Sequence, residues 1–173
     1  MYRFLPAPVL GFLLLSAIAI STILYGIPMF LLATIKFAVP HDGWRHWWTQ
    51  KLVFVAETWV HLNNLMISAT LPTRFEFRGL DDPRLRRDGR YLVASNHQTW
   101  ADVLVLQRIL IHHAPFLRFF IKQELIYLPV LGMTWWALDM PFMKRYSPAK
   151  LARNPELRGK DLETTRRACE RFR

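Results

Sequence analysis

The chain opens with a long apolar segment that has no charged side chains. Between Arg3 and Lys36 no Asp, Glu, Lys or Arg occurs over 32 residues. A helix needs roughly 20 apolar residues to cross the hydrocarbon core of a bilayer. The pattern therefore predicts a membrane-spanning helix near Val9–Leu32, with Gly26 and Pro28 as positions where it kinks or ends.

Two other interpretations of this segment stay open. A cleaved signal peptide has an apolar core of only about 7–15 residues, whereas here the apolar run continues past Ala17–Ala19 to Ile35. A core helix of a soluble protein of this size is seldom apolar on all sides. The pattern favours a retained transmembrane anchor over residues 1–37.

The periodicity changes after the anchor. The segment His41–Trp48 is rich in Trp and His, a composition typical of the head-group region of a bilayer. Residues Lys51–Thr70 place apolar side chains at helical spacing, which predicts an amphipathic helix. Such a helix either lies in the membrane interface or packs on the domain that follows. Residues 38–72 are therefore predicted to form an interfacial helical segment.

Short apolar runs alternate with helical patterns in the rest of the chain. The predicted strands are Phe75–Phe77, Tyr91–Ala94 and Phe119–Ile121. The predicted helices are Thr99–Leu110, Gln123–Tyr127 and Asp161–Arg171. Because strands and helices alternate, the sequence predicts an α/β domain over residues 73–173.

The charge of the chain points to a partner. The formal net charge is +10, and from Lys36 onward 22 Lys and Arg stand against 13 Asp and Glu. A basic domain beside a bilayer is attracted to anionic head groups by about 1 kcal/mol per Lys or Arg near the surface. The positive-inside rule places such a domain on the cytoplasmic side. The sequence shows no nucleic-acid-binding motif, so membrane lipids, especially anionic phospholipids, are the predicted partners and nucleic acid is not.

A candidate catalytic pair lies where the predicted strand Tyr91–Ala94 leads into the next helix. His97 is in the connecting loop, and Asp102 follows five residues later in the first turn of the helix. Asp102 can accept a hydrogen bond from one imidazole nitrogen of His97, which leaves the other nitrogen to act as a base on a substrate hydroxyl. A structural alternative stays open, because Thr99-x-x-Asp102 before an apolar run is also a helix-capping pattern.

Four segments, in order, resemble the glycerolipid acyltransferase family. Asn96–Asp102 resembles the family's first signature, N-H-x4-D, and Phe142–Arg145 resembles its second, F-x-x-R. Lys122–Gly132 resembles its K-x-E-L-x3-P-x2-G segment, and Phe75–Leu80 resembles the strand and turn upstream of the first signature. The chain is therefore similar to the lysophosphatidic acid (1-acylglycerol-3-phosphate) acyltransferases, and close to the bacterial membrane-bound probable acyltransferases.

The resemblance implies a reaction and the residues that perform it. A fatty acyl group passes from acyl-CoA or acyl carrier protein to the hydroxyl of a lysophosphatidic acid or related glycerophospholipid, in phospholipid biosynthesis or remodelling. His97 would deprotonate that hydroxyl, and Asp102 would orient His97. The residues implied to bind the acceptor, whose phosphate a guanidinium fork suits well, are Arg145, Lys144, Phe142 and Lys122.

The implied reaction uses no cofactor besides the acyl donor, and no metal ion is predicted. His112 and His113 are adjacent, so on a helix they point about 100° apart and make a poor pair of metal ligands. The expected location is a bacterial inner (cytoplasmic) membrane, with the domain facing the cytoplasm.

Two departures from the family pattern change the expectation. Lys144 stands where an Asp is common, which makes the site more basic than usual. The family continues with a third signature, E-G-[ST]-R, which does not occur in this sequence. We therefore expect the acyltransferase domain at 73–173 to be incomplete and the chain to be weakly active or inactive. The alternative function is a non-catalytic membrane-bound fragment or interaction protein that keeps the acyltransferase fold.

Overall fold

The computed structural model of the protein describes residues 5–71, 75–144, 146–157 and 159–171. Within these ranges the helices and strands are α1 (Ala7–Ala38), α2 (Asp42–Thr70), α3 (Ala101–Leu110), β1 (Ile121–Lys122), α4 (Leu131–Ala137), β2 (Phe142–Met143), α5 (Pro148–Arg153) and α6 (Lys160–Arg171). Short 3-10 helices cover Gln123–Tyr127 and Pro155–Leu157. The chain folds as two compact units, one ending at Leu117 and one beginning at Arg118.

Helices α1 and α2 of the first unit form an antiparallel hairpin. Buried side chains recur at intervals of three or four residues on the facing stripe of each helix, as expected for packed helices. In α1 the regular part of this stripe is Gly26, Met29, Ala33 and Lys36, and in α2 it is Leu52, Ala56, Val60, Asn63 and Ile67. Inside the interface Ser21 Oγ donates a hydrogen bond to Asn63 Oδ1 over 3.3 Å. A buried polar pair of this kind favours one register of the two helices over others.

Helix α1 extends beyond both ends of the predicted span Val9–Leu32. Gly26 and Pro28 lie inside the helix and do not end it. Among the described residues, α1 is the one helix that is long and apolar enough to cross a membrane. Large apolar side chains such as Phe12 and Leu15 are exposed along it. These features are consistent with a membrane location.

Helix α2 begins earlier than predicted, because most of the Trp- and His-rich segment 41–48 is itself helical. His41 caps the helix, with its Nδ1 accepting a hydrogen bond from the backbone N–H of Trp44 at 3.4 Å. The helix packs against α1 and also contacts α3. The contact with α3 agrees with the alternative in which this helix packs on the domain that follows, and a position in the membrane interface stays a prediction.

Two of the strand predictions, both in the first unit, are wrong. Residues 75–77 and 91–94 have no regular secondary structure, and Leu92 is 80% exposed. A strand is stable only when its backbone N–H and C=O groups pair with a neighbour, and the described part of this unit offers no other strand. The ring of Phe75 stacks instead on that of Phe77, with 5.9 Å between centroids. In its described ranges this unit is helical and irregular.

The prediction of an α/β domain is confirmed only in part, by the second unit. Its strands β1 and β2 pair in parallel, with Ile121 opposite Phe142 and Lys122 opposite Met143. The first of them overlaps the end of the predicted strand Phe119–Ile121. These two strands are the whole sheet in the described residues, so the described structure is mostly helical.

Candidate functional site

His97 and Asp102 are in contact at the start of α3. Nδ1 of His97 lies 3.2 Å from Oδ2 of Asp102, and the two side chains are 58% and 31% exposed. Among the described residues, Nε2 of His97 has no hydrogen-bond partner. Nδ1 of the imidazole therefore faces a carboxylate, while Nε2 has no partner among the described residues. A general base needs this arrangement.

The same carboxylate also holds the loop in front of α3. Asp102 Oδ2 accepts hydrogen bonds from the backbone N–H of Gln98 at 2.5 Å and of Thr99 at 2.7 Å. Its Oδ1 accepts from the Thr99 hydroxyl at 3.2 Å. Capping and contact with His97 were alternatives in the sequence, yet the structure combines them in one side chain. The capping bonds fix the carboxylate, and the imidazole of His97 lies against it.

These hydrogen bonds keep Asp102 ionised. The backbone N–H of Thr99 has the largest effect, followed by that of Gln98, and together they lower the pKa of the Asp102 carboxyl below its ordinary value. The hydroxyl of Thr99 and the proximity of His97 act in the same direction. A carboxylate that accepts several N–H bonds resists protonation because its charged form is the one they stabilise.

We expect Asp102→Asn to reduce stability at neutral pH and to matter less in acid. The folded-state pKa of Asp102 is lowered, so its contribution is present above the unfolded-state value of about 3.9 and is lost as the pH falls through the folded-state value. Thermal unfolding in detergent at pH 7 and pH 3 measures the difference between wild type and variant. Asp81→Asn, at an exposed turn, is the matched control. An equal difference at both pH values would contradict the assignment.

The loop that leads toward His97 is closed by a tyrosine. The hydroxyl of Tyr91 accepts a hydrogen bond from the backbone N–H of Arg86 at 2.6 Å and donates one to the carbonyl of Arg84 at 2.7 Å. A Cβ at Gly89 would lie 2.1 Å from that hydroxyl, so a side chain there would displace the Tyr91 ring. This local packing takes the place of the predicted strand at 91–94.

The predicted acceptor-binding residues belong to the second unit. Lys122 ends β1, is exposed, and pairs with Glu124 over 3.8 Å. Phe142 begins β2 beside Ile121, and the exposed Lys144 follows that strand. The parallel ladder thus brings Lys122 and Phe142 onto neighbouring strands. Arg145 lies outside the described residues.

Sequence reasoning missed several residues that form contacts in the segment 87–108. The backbone N–H of Gln98 and the side chains of Arg87 and Arg108 have no motif that marks them. Arg87 pairs with Glu57, which is thirty residues away along the chain. Within the described ranges, no group of three His, Cys, Asp or Glu side chains is arranged to hold a metal ion.

Comparison with known proteins identifies the family. A family model described as acyltransferase matches residues 74–171, which is more than half of the 173 residues. The chain therefore belongs to the acyltransferase family, and acyl transfer is its general function. No curated protein and no solved structure matches the chain.

Proposed function

We propose that the protein transfers a fatty acyl group from acyl-CoA or acyl carrier protein to the hydroxyl of a lysophosphatidic acid or related glycerophospholipid. The observation that carries the proposal is the 3.2 Å contact between His97 Nδ1 and Asp102 Oδ2. It lies within the segment that matches the acyltransferase family model. A base with a fixed carboxylate behind it suits activation of a hydroxyl for attack on a thioester.

The proposed reaction has two proton transfers at one nitrogen. His97 Nε2 takes the proton of the acceptor hydroxyl as its oxygen attacks the thioester carbonyl. The tetrahedral intermediate collapses with cleavage of the carbon–sulfur bond, and the leaving thiolate takes the proton back from the imidazolium. Asp102 stabilises the imidazolium between these steps and stays ionised, as in other base-and-carboxylate pairs.

The proposed acceptor is anionic because the candidate binding residues are mostly basic. Lys144 and Arg145 would hold its phosphate, with Lys122 nearby on the neighbouring strand and Phe142 against its apolar part. Arg145 is assigned this role from the resemblance of Phe142–Arg145 to a family signature. Guanidinium groups match phosphate oxygens with two parallel hydrogen bonds.

The proposed location is the inner (cytoplasmic) membrane of a bacterium, with the matched segment on the cytoplasmic face. In this proposal residues 1–37 anchor the protein, residues 38–72 contact the interface and residues 73–173 form the acyltransferase domain. The length and exposed apolar surface of α1 support membrane insertion. The net charge of +10 supports contact with anionic phospholipids.

The proposal is tested with the purified protein in vesicles that contain lysophosphatidic acid. Transfer of a labelled acyl group from acyl-CoA, and in parallel from acyl carrier protein, is followed as formation of phosphatidic acid. Glycerol-3-phosphate and lysophosphatidylcholine replace the acceptor in matched reactions to define its class. Turnover with a lysophospholipid supports the proposal, whereas absence of turnover with every donor and acceptor favours the alternative, a non-catalytic membrane-bound fragment or interaction protein.

A further inference from the structure

Two arginines join the segment that carries the dyad to helix α2. Arg87 pairs with Glu57 of α2, and its Nη1 also donates to the carbonyl of Ile111 at 2.8 Å. Arg108 of α3 donates from Nη1 to the carbonyl of Asn64 at 3.2 Å and from Nη2 to Ser68 Oγ at 2.8 Å. Its guanidinium also lies over an aromatic ring, that of Phe75, at 4.4 Å from the centroid.

The acceptors of these two arginines lie on one face of α2. Glu57, Asn64 and Ser68 are separated by seven and four residues, and a helix places such positions on a common stripe. Glu57 is largely covered, with 16% of its side chain exposed. A carboxylate so covered needs a cationic partner, because an unpaired buried charge is costly. This stripe of α2 therefore supplies hydrogen-bond-accepting oxygen atoms to both guanidinium groups.

The arginines add polar contacts to the packing of α3 on α2. None of the described residues of α3 is fully buried, and those after Ala101 are half-buried. Ser68 is in the last turn of α2, where the partial negative charge of the helix end favours a cation. Arg108 is suited to this position because one planar group both bonds two oxygens and stacks on a ring.

These arginine contacts connect the segment that carries the dyad to the hairpin. Asp102 is in the first turn of α3 and Arg108 is in its last turn, so holding Arg108 on α2 holds the carboxylate through one short rigid helix. Arg87 holds both the loop that precedes His97 and the carbonyl just after α3. Helix α2 in turn packs on the apolar helix α1.

We propose that Arg87 and Arg108 are positioning residues that set the place of the His97–Asp102 dyad relative to the α1–α2 hairpin, and so to an acceptor held in a bilayer. The inference rests on the proposed function. Neither arginine touches the reacting atoms. Their loss would let α3 and its loop shift against α2, and a displacement of about 1 Å at a dyad lowers the rate by roughly 100-fold.

A charge-exchange series tests Arg87. Glu57→Arg and Arg87→Glu alone are each expected to lower kcat by roughly 10- to 100-fold with lysophosphatidic acid in vesicles. The double variant restores the pair in reverse and regains most of the rate. Arg84→Glu is the matched control, because it reverses the same charge in the same loop, where its partner is the local Asp82. A double variant no better than the singles would overturn the proposal.

A second acceptor substrate distinguishes a positioning role from a general loss of structure. With a short-chain lysophosphatidic acid free in solution, the Arg87→Glu variant is expected to keep at least half of the wild-type rate, because that acceptor can follow a displaced dyad. A collapsed fold would lose both reactions together, and such an equal loss counts against the proposal. Arg108→Gln is expected to behave like Arg87→Glu, and Arg108→Lys to lie between Gln and wild type.

Hydrogen exchange gives a readout that does not require activity. Peptides covering 87–110, in protein reconstituted into nanodiscs, are expected to exchange faster in the Arg87→Glu and Arg108→Gln variants and to recover protection in the charge-exchanged double variant. If wild type shows no turnover, the proposed function fails. The hydrogen-exchange rates alone then test whether Arg87 and Arg108 hold α3 and its loop on α2. If wild type turns over and exchange is unchanged in the variants, the positioning role fails and the proposed function stands.

Discussion

Replacement of His97 by Ala is expected to lower acyl transfer by roughly 10²- to 10⁴-fold with the protein still folded. The imidazole is more than half exposed and contacts Asp102 at 3.2 Å. Removal of this side chain therefore leaves no large cavity and no buried unpaired group. The loss would fall on kcat, because His97 acts on the proton during bond formation. Initial rates over a range of acceptor concentrations separate kcat from KM.

His46→Ala is the matched control for this variant. His46 is also an exposed histidine, and its ring contacts the side chain of Gln50 at 3.0 Å on the surface of α2. It should keep the wild-type rate and the wild-type melting temperature. Turnover by His97→Ala within a factor of two of wild type would exclude His97 as the base and favour the non-catalytic alternative.

Gly132→Ala is expected to destabilise the second unit by about 3 kcal/mol. A Cβ at this position would lie 2.0 Å from the carbonyl oxygen of Ile126 and 2.5 Å from its carbonyl carbon. Both atoms are backbone, so they cannot rotate away as a side chain could. Accommodation requires α4 to move away from the 3-10 helix before it, which breaks the 2.9 Å hydrogen bond from Gly132 N to Leu128 O.

Thermal unfolding in detergent measures this effect. A loss of this size corresponds to a melting temperature lower by roughly 6–12 °C in a protein of this length. Gly11→Ala is the control, because a Cβ there meets nothing within 4 Å. It should be neutral or slightly stabilising, since Gly in a helix costs about 0.5–1 kcal/mol relative to Ala. Equal melting temperatures for the two variants would rule out the close approach at Gly132.

Helices with a strong local signal could be predicted from the sequence. The uncharged run gave α1, and helical spacing gave α3 and α6 close to their observed limits. The strand predictions at 75–77 and 91–94 are wrong, because a local pattern does not show whether a partner strand exists. An apolar run such as Tyr91–Ala94 suits a strand only when another strand is available, and the described part of the first unit has none to pair with it.

Contacts of the site between residues close together in the sequence could be predicted. The five-residue spacing of His97 and Asp102 suffices to predict their contact, because a loop and a first helical turn bring them together. The bonds from Arg87 and Arg108 to α2 join residues between thirty and forty-four positions apart. Such contacts depend on how α3 packs against α2, and no motif in a single sequence encodes that packing.

The antiparallel hairpin brings the end of α2 close to the beginning of α1. Ser21 meets Asn63 within it, and Trp44 Nε1 donates to the carbonyl of Ile35 near the turn. The chain therefore leaves α2 at the end where it entered α1. Residue 71, from which the chain leads on to His97, therefore lies at the end of the hairpin that carries the first turn of α1. A tag before residue 5 would mark that end of the hairpin without touching the dyad.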